Sequence, residues 1–281
     1  MRLGFLGGLG FLGGLGFLGL LGGLGFLGLL GGLGFLGGLG LLGLLGLLGL
    51  LGRLGFLGRL GFLGGLLLFL LPSSLAAQGV RVRILTSKGA ITAVLFDDTP
   101  LHRDNFLRHV RAHDYDSLLF HRVIPAFMIQ TGDSASRHAL PGVALGDTPE
   151  SHTIPAEIRF PAHFHQAGAL AMAREDDAVN PQRASSSWQF YIVTGQPFTD
   201  DQLDRLQQRL DQQTDSLVRF TPAMREVYRT RGGAPHLDGT YTVFGQVTEG
   251  FDVLDDLQFV ERDARNRPLA DERILSIQVI E

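Results

Sequence analysis

The chain has 281 residues, 24 of them basic and 28 acidic, a net charge of −4 and no cysteine. The lack of cysteine excludes a disulfide framework, thiolate chemistry and a cysteine-based metal site. Arg2, Arg53 and Arg59 lie in the first 79 residues and no acidic residue does, so the remainder carries 21 basic against 28 acidic residues, a net of −7. That balance argues against a phosphate-backbone partner, and no nucleic acid is expected.

Residues 1–79 form a low-complexity leader, and residues 3–52 contain only Gly, Leu and Phe. Such dense glycine opposes a stable helix, at about 1 kcal/mol per Gly relative to Ala. Arg59 is followed by an apolar run through Leu71 and then by Pro72-Ser73-Ser74-Leu75-Ala76-Ala77-Gln78. Basic residue, apolar core and small residues form the order of a signal peptide, with cleavage expected near Ala76 and export to the periplasm or another extracytoplasmic site. A retained leader would instead tether the protein to a membrane, the only membrane contact expected.

Residues 80–281 read as one foldable domain, long enough for a well-buried core. Val80, Val82 and Ile84 alternate with Arg81 and Arg83, the pattern of a half-exposed strand. Ser87-Lys88-Gly89 is a turn, and Ile91–Phe96 is a second strand. Thr99-Pro100 predicts a helix start with Thr99 as N-cap, and Leu101, Phe106, Leu107 and Val110 predict its apolar stripe. Phe120–Asp133, FHRVIPAFMIQTGD, reads as strand, Pro125-Ala126 turn and second strand. Alternation puts Met128 and Gln130 on one face, with Arg122 beside them. A guanidinium beside Phe127 and Met128 is unusual, because an unpaired charge is costly to bury. It suggests a site for something both apolar and carbonyl-bearing.

Residues 134–167 read mostly as loop. Strand patterns return at Ala169–Ala173, Trp188–Val193, Tyr241–Val247 and Ile274–Ile280. Between them, Pro197 to Pro235 reads as an insertion with two helical pieces, one opening at Thr199 and carrying Leu203, Leu206 and Leu210, the other covering Pro222 to Arg229. It either packs its Leu stripe on the main body or forms a flap beside the groove. His163 and His165 have H-x-H spacing, but lie in a loop with no carboxylate between them, and no metal site is expected. Many short strands with two or three helices predict a closed antiparallel barrel.

The string FHRVIPAFMIQTGD resembles the cyclophilin family of peptidyl-prolyl isomerases. Three later strings agree in order: Gly168–Ala173, Ser187–Ile192 and Leu237–Gly245. The resemblance runs from Val80 to Glu281 apart from the insertion. It implies a closed eight-stranded antiparallel barrel capped by two helices, and isomerisation of Xaa-Pro bonds in peptides and unfolded proteins by a monomer without cofactor. A non-catalytic peptide-binding or chaperone module is the alternative.

Alone, a strand Arg reads as a solvated surface residue, and Phe127, Met128 and Leu237 read as core. The resemblance implies otherwise. It makes Arg122 the catalytic guanidinium, with Phe127 and Gln130 beside it. Met128, Tyr191 and Leu237 would line a proline pocket with Phe127. Gln130 and Gln189 would hold substrate backbone, with main-chain groups near Ala173 and Arg174. This chain departs from the family at several positions. Tyr241 stands where many members carry His, Tyr191 where most carry Phe, and Arg174 where Asn is usual. The Tyr191 hydroxyl is expected at the pocket rim, and the Arg174 side chain is expected to alter the groove's charge. His236 replaces the Trp of cyclosporin-sensitive members and is expected to be partly protonated near neutral pH.

Overall fold

The computed structural model describes residues 79–280. The leader, its signal-peptide reading and its possible tether lie outside the described residues.

Among the described residues, ten strands and four α-helices follow one another as β1 Arg81–Thr86, β2 Gly89–Leu95, α1 Pro100–Arg111, β3 Arg122–Ile124, β4 Met128–Thr131, β5 Thr153–Ile154, β6 Ala169–Met172, β7 Ser185–Ser186, β8 Phe190–Val193, α2 Asp200–Gln213, α3 Pro222–Thr230, β9 Val243–Glu249, α4 Phe251–Gln258 and β10 Ile274–Ile280. Short 3-10 helices cover Ser134–His138 and Pro235–Leu237. Eight strands make one antiparallel sheet in the order β10-β1-β2-β9-β6-β8-β4-β3, and β5 pairs with β7 apart from it. The expected alternation in β1 holds: Val82, Ile84 and Thr86 are buried, while Arg83 and Leu85 face solvent.

The expected closed barrel is corrected to an open half-barrel, since β3 and β10 are the sheet's two edges and share no ladder. The chain before β3 touches the start of β10 through a Leu119–Arg273 bridge and bonds such as Phe120 N–H to Glu272 O, 2.9 Å. The pairing then stops. β3 is three residues long, and its Val123 N–H is taken by Asn266 O at 2.8 Å, from the loop between α4 and β10.

The main core gathers the inward residues of the sheet, including Ile84, Ile91, Val123, Ile129, Leu170, Ile192 and Phe244. Phe106, Leu107 and Val110 of α1 and Val253, Leu254 and Leu257 of α4 join it. Fully burying one such side chain stabilises by about 1.5–3 kcal/mol. α1 packs on β9 and β10, whereas α4, which the periodicity reading did not place, packs on β2, β3 and β4.

Two details of α1 differ from expectation. Leu101 is 49% exposed rather than part of the stripe, and the inner face is completed by His102 and His109. Thr99 occupies the N-cap position, but its hydroxyl bonds back to Phe96 O. The first-turn N–H groups of Leu101 and His102 are bonded instead by the Glu157 carboxylate, at 3.2 and 3.0 Å. A carboxylate suits the positive end of the helix, and this one arrives through tertiary contact.

The insertion forms the helix pair α2 and α3. Thr199 and Gln202 make a reciprocal capping box on α2, and Thr221 caps α3. Leu203, Met224 and Tyr228 form one buried cluster and Leu206, Leu210 and Val218 another, both edged by Phe160 and Phe220. The Leu stripe therefore packs on α3 and the 160–164 loop. Gly232 and Gly233 close the insertion with positive φ values of 80° and 153°. A Cβ at Gly233 would collide with the His165 carbonyl oxygen, so only glycine permits this approach.

Candidate active site

The β3–β4 turn carries the central stretch. Pro125 presets φ at the first corner of the turn, Ala126 adopts φ 58°, and Phe127 N–H bonds Ile124 O at 3.2 Å. Gln258 of α4 accepts from Ala126 N–H at 2.9 Å. The register then sets Arg122 opposite Gln130, Ile124 opposite Met128, and Gln130 opposite Tyr191 of β8. Since neighbours alternate across a sheet, these residues share the face opposite Val123, Ile129 and Ile192 of the main core.

On that face lies a second apolar cluster. Met128, Ala171, Tyr191 and Val243 are buried in it, and Phe127, Ile124, Leu237 and Tyr241 pack against it partly exposed. The structure thus brings together Phe127, Met128, Tyr191, Leu237 and Tyr241. His236 joins through its ring, 5.1 Å from that of Phe127. A polar row borders the patch. Arg122 Nη1–H donates to Gln130 Oε1 at 3.2 Å, Gln130 Nε2–H to Gln189 Oε1 at 3.1 Å, and Gln189 Nε2–H to Gly146 O at 2.9 Å. Arg122 is exposed and makes no ion pair among the described residues. Its remaining N–H groups are left for solvent or a ligand.

Four expectations about side chains change. The Tyr191 hydroxyl is not at a rim: the residue is 4% exposed, and its hydroxyl meets His165 Nε2 at 3.0 Å. Burial raises its pKa well above the usual tyrosine value, so it stays protonated. The Arg174 charge is not free in the groove but pinned against the patch and balanced by Asp177. The guanidinium lies 4.4 Å over the Tyr241 ring, donates to Thr240 O at 2.9 Å and pairs with Asp177 at 2.6 Å. Ala173 uses its own main chain internally, its N–H on Gln189 O and its C=O on Ser186 N–H. His236 is solvent-exposed with its ring packed on Phe127, and its pKa is shifted downward from the usual histidine value, away from the protonated form.

His163 and His165 diverge. His163 stacks on Phe96 with ring centroids 3.8 Å apart and meets Asp98 at 2.6 Å. His165 turns inward to Asp238. No group of three potential metal ligands occurs among the described residues.

Two buried constellations escaped the sequence reading. His102 Nδ1 lies 2.7 Å from Glu157 and its Nε2 lies 2.9 Å from Ser185 Oγ. These are the spacings of a hydrolytic triad, but Ser185 is 1% exposed and no substrate can reach it. The second joins Tyr191, His165, Asp238 and Tyr228 beneath the apolar patch. No local signal marks either, because their members come from distant parts of the chain.

An exposed guanidinium beside an apolar patch, on the outer face of an antiparallel sheet, suits binding of an uncharged carbonyl-bearing chain. Comparison agrees. The family described as cyclophilin type peptidyl-prolyl cis-trans isomerase/CLD matches residues 81–279. A Staphylococcus epidermidis protein provisionally named a peptidyl-prolyl cis-trans isomerase is 32% identical over 203 residues, covering 72% of this chain and 92% of that protein. A Streptococcus pyogenes protein provisionally named a bifunctional phosphatase/peptidyl-prolyl cis-trans isomerase is 32% identical over 208 residues, covering 72% of this chain but only 39% of that protein. Among solved structures, a Cryptosporidium parvum cyclophilin type peptidyl-prolyl cis-trans isomerase matches with TM-score 0.51 at 22% identity, covering 72% of this chain and 98% of that one. The same protein crystallised in the presence of the dipeptide Ala-Pro matches with TM-score 0.50. The chain belongs to the cyclophilin-type peptidyl-prolyl cis-trans isomerase family.

Proposed function

We propose that the domain accelerates cis-trans rotation of Xaa-Pro bonds in extended or unfolded chains, with Arg122 as the catalytic group. The observation that carries this is the exposed Arg122 guanidinium, steadied by Gln130 at the edge of the Phe127–Met128–Leu237–Tyr241 patch. Rotation about a peptide bond meets a barrier of about 18–20 kcal/mol because the C–N bond is partly double. An N–H donor aimed at the prolyl nitrogen stabilises a pyramidal amide whose lone pair has left the carbonyl. A fixed guanidinium has further donors to hold the proline's own carbonyl. The apolar patch receives the pyrrolidine ring and excludes water while the other half turns. No bond breaks, so no nucleophile is needed.

Gln130 holds the substrate main chain in this reading, together with the Arg174 backbone, while Gln189, expected to do the same, is buried with its amide taken by Gln130 and Gly146 and orients Gln130 instead. Ala173 contributes by placing that backbone. The test is a protease-coupled assay on a short Xaa-Pro peptide: the domain should speed the slow cis fraction, and an uncatalysed rate at micromolar protein would end the proposal.

His236 makes a separate prediction. It is exposed, smaller than Trp, and tilted against Phe127. A single proline ring is accommodated, while a large macrocycle such as cyclosporin loses a flat apolar wall and an N–H donor. His236→Trp should tighten cyclosporin binding about tenfold, the scale of one hydrogen bond with its packing, with peptide turnover little changed. Titration calorimetry showing equal affinity in both proteins would refute it.

A further inference from the structure

The insertion packs on its own helices, the 160–164 loop and the Pro235–Leu237 turn, and one of its side chains reaches under the apolar patch. Tyr228 of α3 is fully buried and donates its hydroxyl to Asp238 Oδ2 at 2.7 Å. Asp238 is also fully buried, and its Oδ1 accepts both the backbone N–H of His165, at 2.9 Å, and Nδ1–H of its ring, at 3.0 Å. With Nδ1 carrying the proton toward the carboxylate, Nε2 is left as acceptor for the Tyr191 hydroxyl, at 3.0 Å. The His165 and Tyr191 rings lie within 13° of parallel, and both stand edge-on to Tyr241. Finally, His165 O accepts Ala234 N–H at 2.7 Å, which hangs the Pro235–Leu237 turn from the same residue.

We propose that Tyr228, Asp238 and His165 are positioning residues for the isomerase reaction, and that through them the helical insertion sets the shape of the proline-binding patch. The inference deepens the proposed function and rests on its assignment of the patch to the proline ring. Each link has a physical reason. A carboxylate removed from water is tolerable only when donors satisfy it, and here three do. The tautomer that satisfies Asp238 also orients Tyr191, so the patch wall and the turn bearing His236 and Leu237 share one anchor. α3 supplies the donor at the far end. Without it Asp238 loses a charge-assisted bond, and His165 loses a fixed acceptor geometry.

A double-mutant cycle tests this in the full domain. Tyr228→Phe removes one hydroxyl and keeps the ring that fills the insertion core. It should lower kcat/KM for an Xaa-Pro peptide about three- to tenfold, the range of one such bond, mainly by raising KM and well below the unfolding temperature. In a Tyr191→Phe background the same change should have less than about a twofold effect, because the wall it orients no longer reaches the network. A purely structural Tyr228 would lower the unfolding midpoint equally in both backgrounds and leave KM unmoved, and that result, or additive losses, overturns the proposal. If Tyr228→Phe does not fold, His165→Asn serves in the same cycle, since its amide can face Asp238 but is too short for Tyr191. Arg122→Ala keeps the two readings apart: full activity there overturns the site assignment itself, while an inactive Arg122→Ala with an additive cycle overturns only the coupling.

Discussion

Arg122→Ala is expected to lower kcat/KM on a short Xaa-Pro peptide by about 10²–10³-fold, the loss typical of a donor aimed at developing charge. The fold should survive. Arg122 is exposed at the sheet's edge strand and holds one hydrogen bond, to Gln130, so its removal should alter stability by no more than about 1 kcal/mol. Arg122→Lys should recover little, because a point charge on a flexible stem lacks the fork that addresses nitrogen and carbonyl together. Peptide affinity should fall less than turnover, since the apolar patch is untouched. Near-full activity in Arg122→Ala, with the unfolding midpoint unchanged, would show that the guanidinium is not the catalytic group.

The second large effect is acid instability. His102, His109 and His121 are buried and all have lowered pKa values, in each case chiefly because burial disfavours the charged ring. His121 is the extreme, lowered from 6.5 to about 4; nearby Asp133 opposes the shift, and Arg122 and Arg267 add to it. Neither of its ring nitrogens has a hydrogen-bond partner among the described residues. For a base whose folded pKa is depressed, the unfolded chain binds the proton first. The stability contributed is complete above pH 6.5 and is lost as pH falls toward 4. At about 1.36 kcal/mol per pKa unit, His121 alone accounts for about 3 kcal/mol across that window. Urea unfolding at stepped pH should show stability falling through this range. His121→Phe, which cannot take a proton and forfeits no hydrogen bond, should flatten the slope by about one proton's worth. An unchanged slope would mean that His121 is solvated before it titrates.

Much of the architecture was legible along the chain because its causes are local. Alternation marked β1, and Leu203, Leu206 and Leu210 at helical spacing after Thr199 marked α2. Pro125 between two short apolar runs marked the hairpin, and a hairpin of that length can pair Arg122 only near Gln130. The patch residues Phe127, Met128, Tyr191, Leu237 and Tyr241 came from the family resemblance instead, since alone Phe127, Met128 and Leu237 read as core.

What local pattern could not reveal was where a side chain's polar end goes once distant segments meet. Thr99 holds the cap position of α1, but Glu157 supplies the bonds. Tyr191 sends its hydroxyl inward because His165 waits there, and Arg174 folds back over Tyr241 because Asp177 and Thr240 O satisfy it. The barrel stays open because a loop carbonyl from Asn266 reaches Val123 before β10 can. In each case a buried donor or acceptor must find a partner, and the nearest one belongs to another part of the chain. Periodicity and turn chemistry act over a few residues and therefore determine strands, helices and the hairpin. The satisfaction of buried polar groups acts across the whole fold, so the network beneath the site exists only once the tertiary structure is formed.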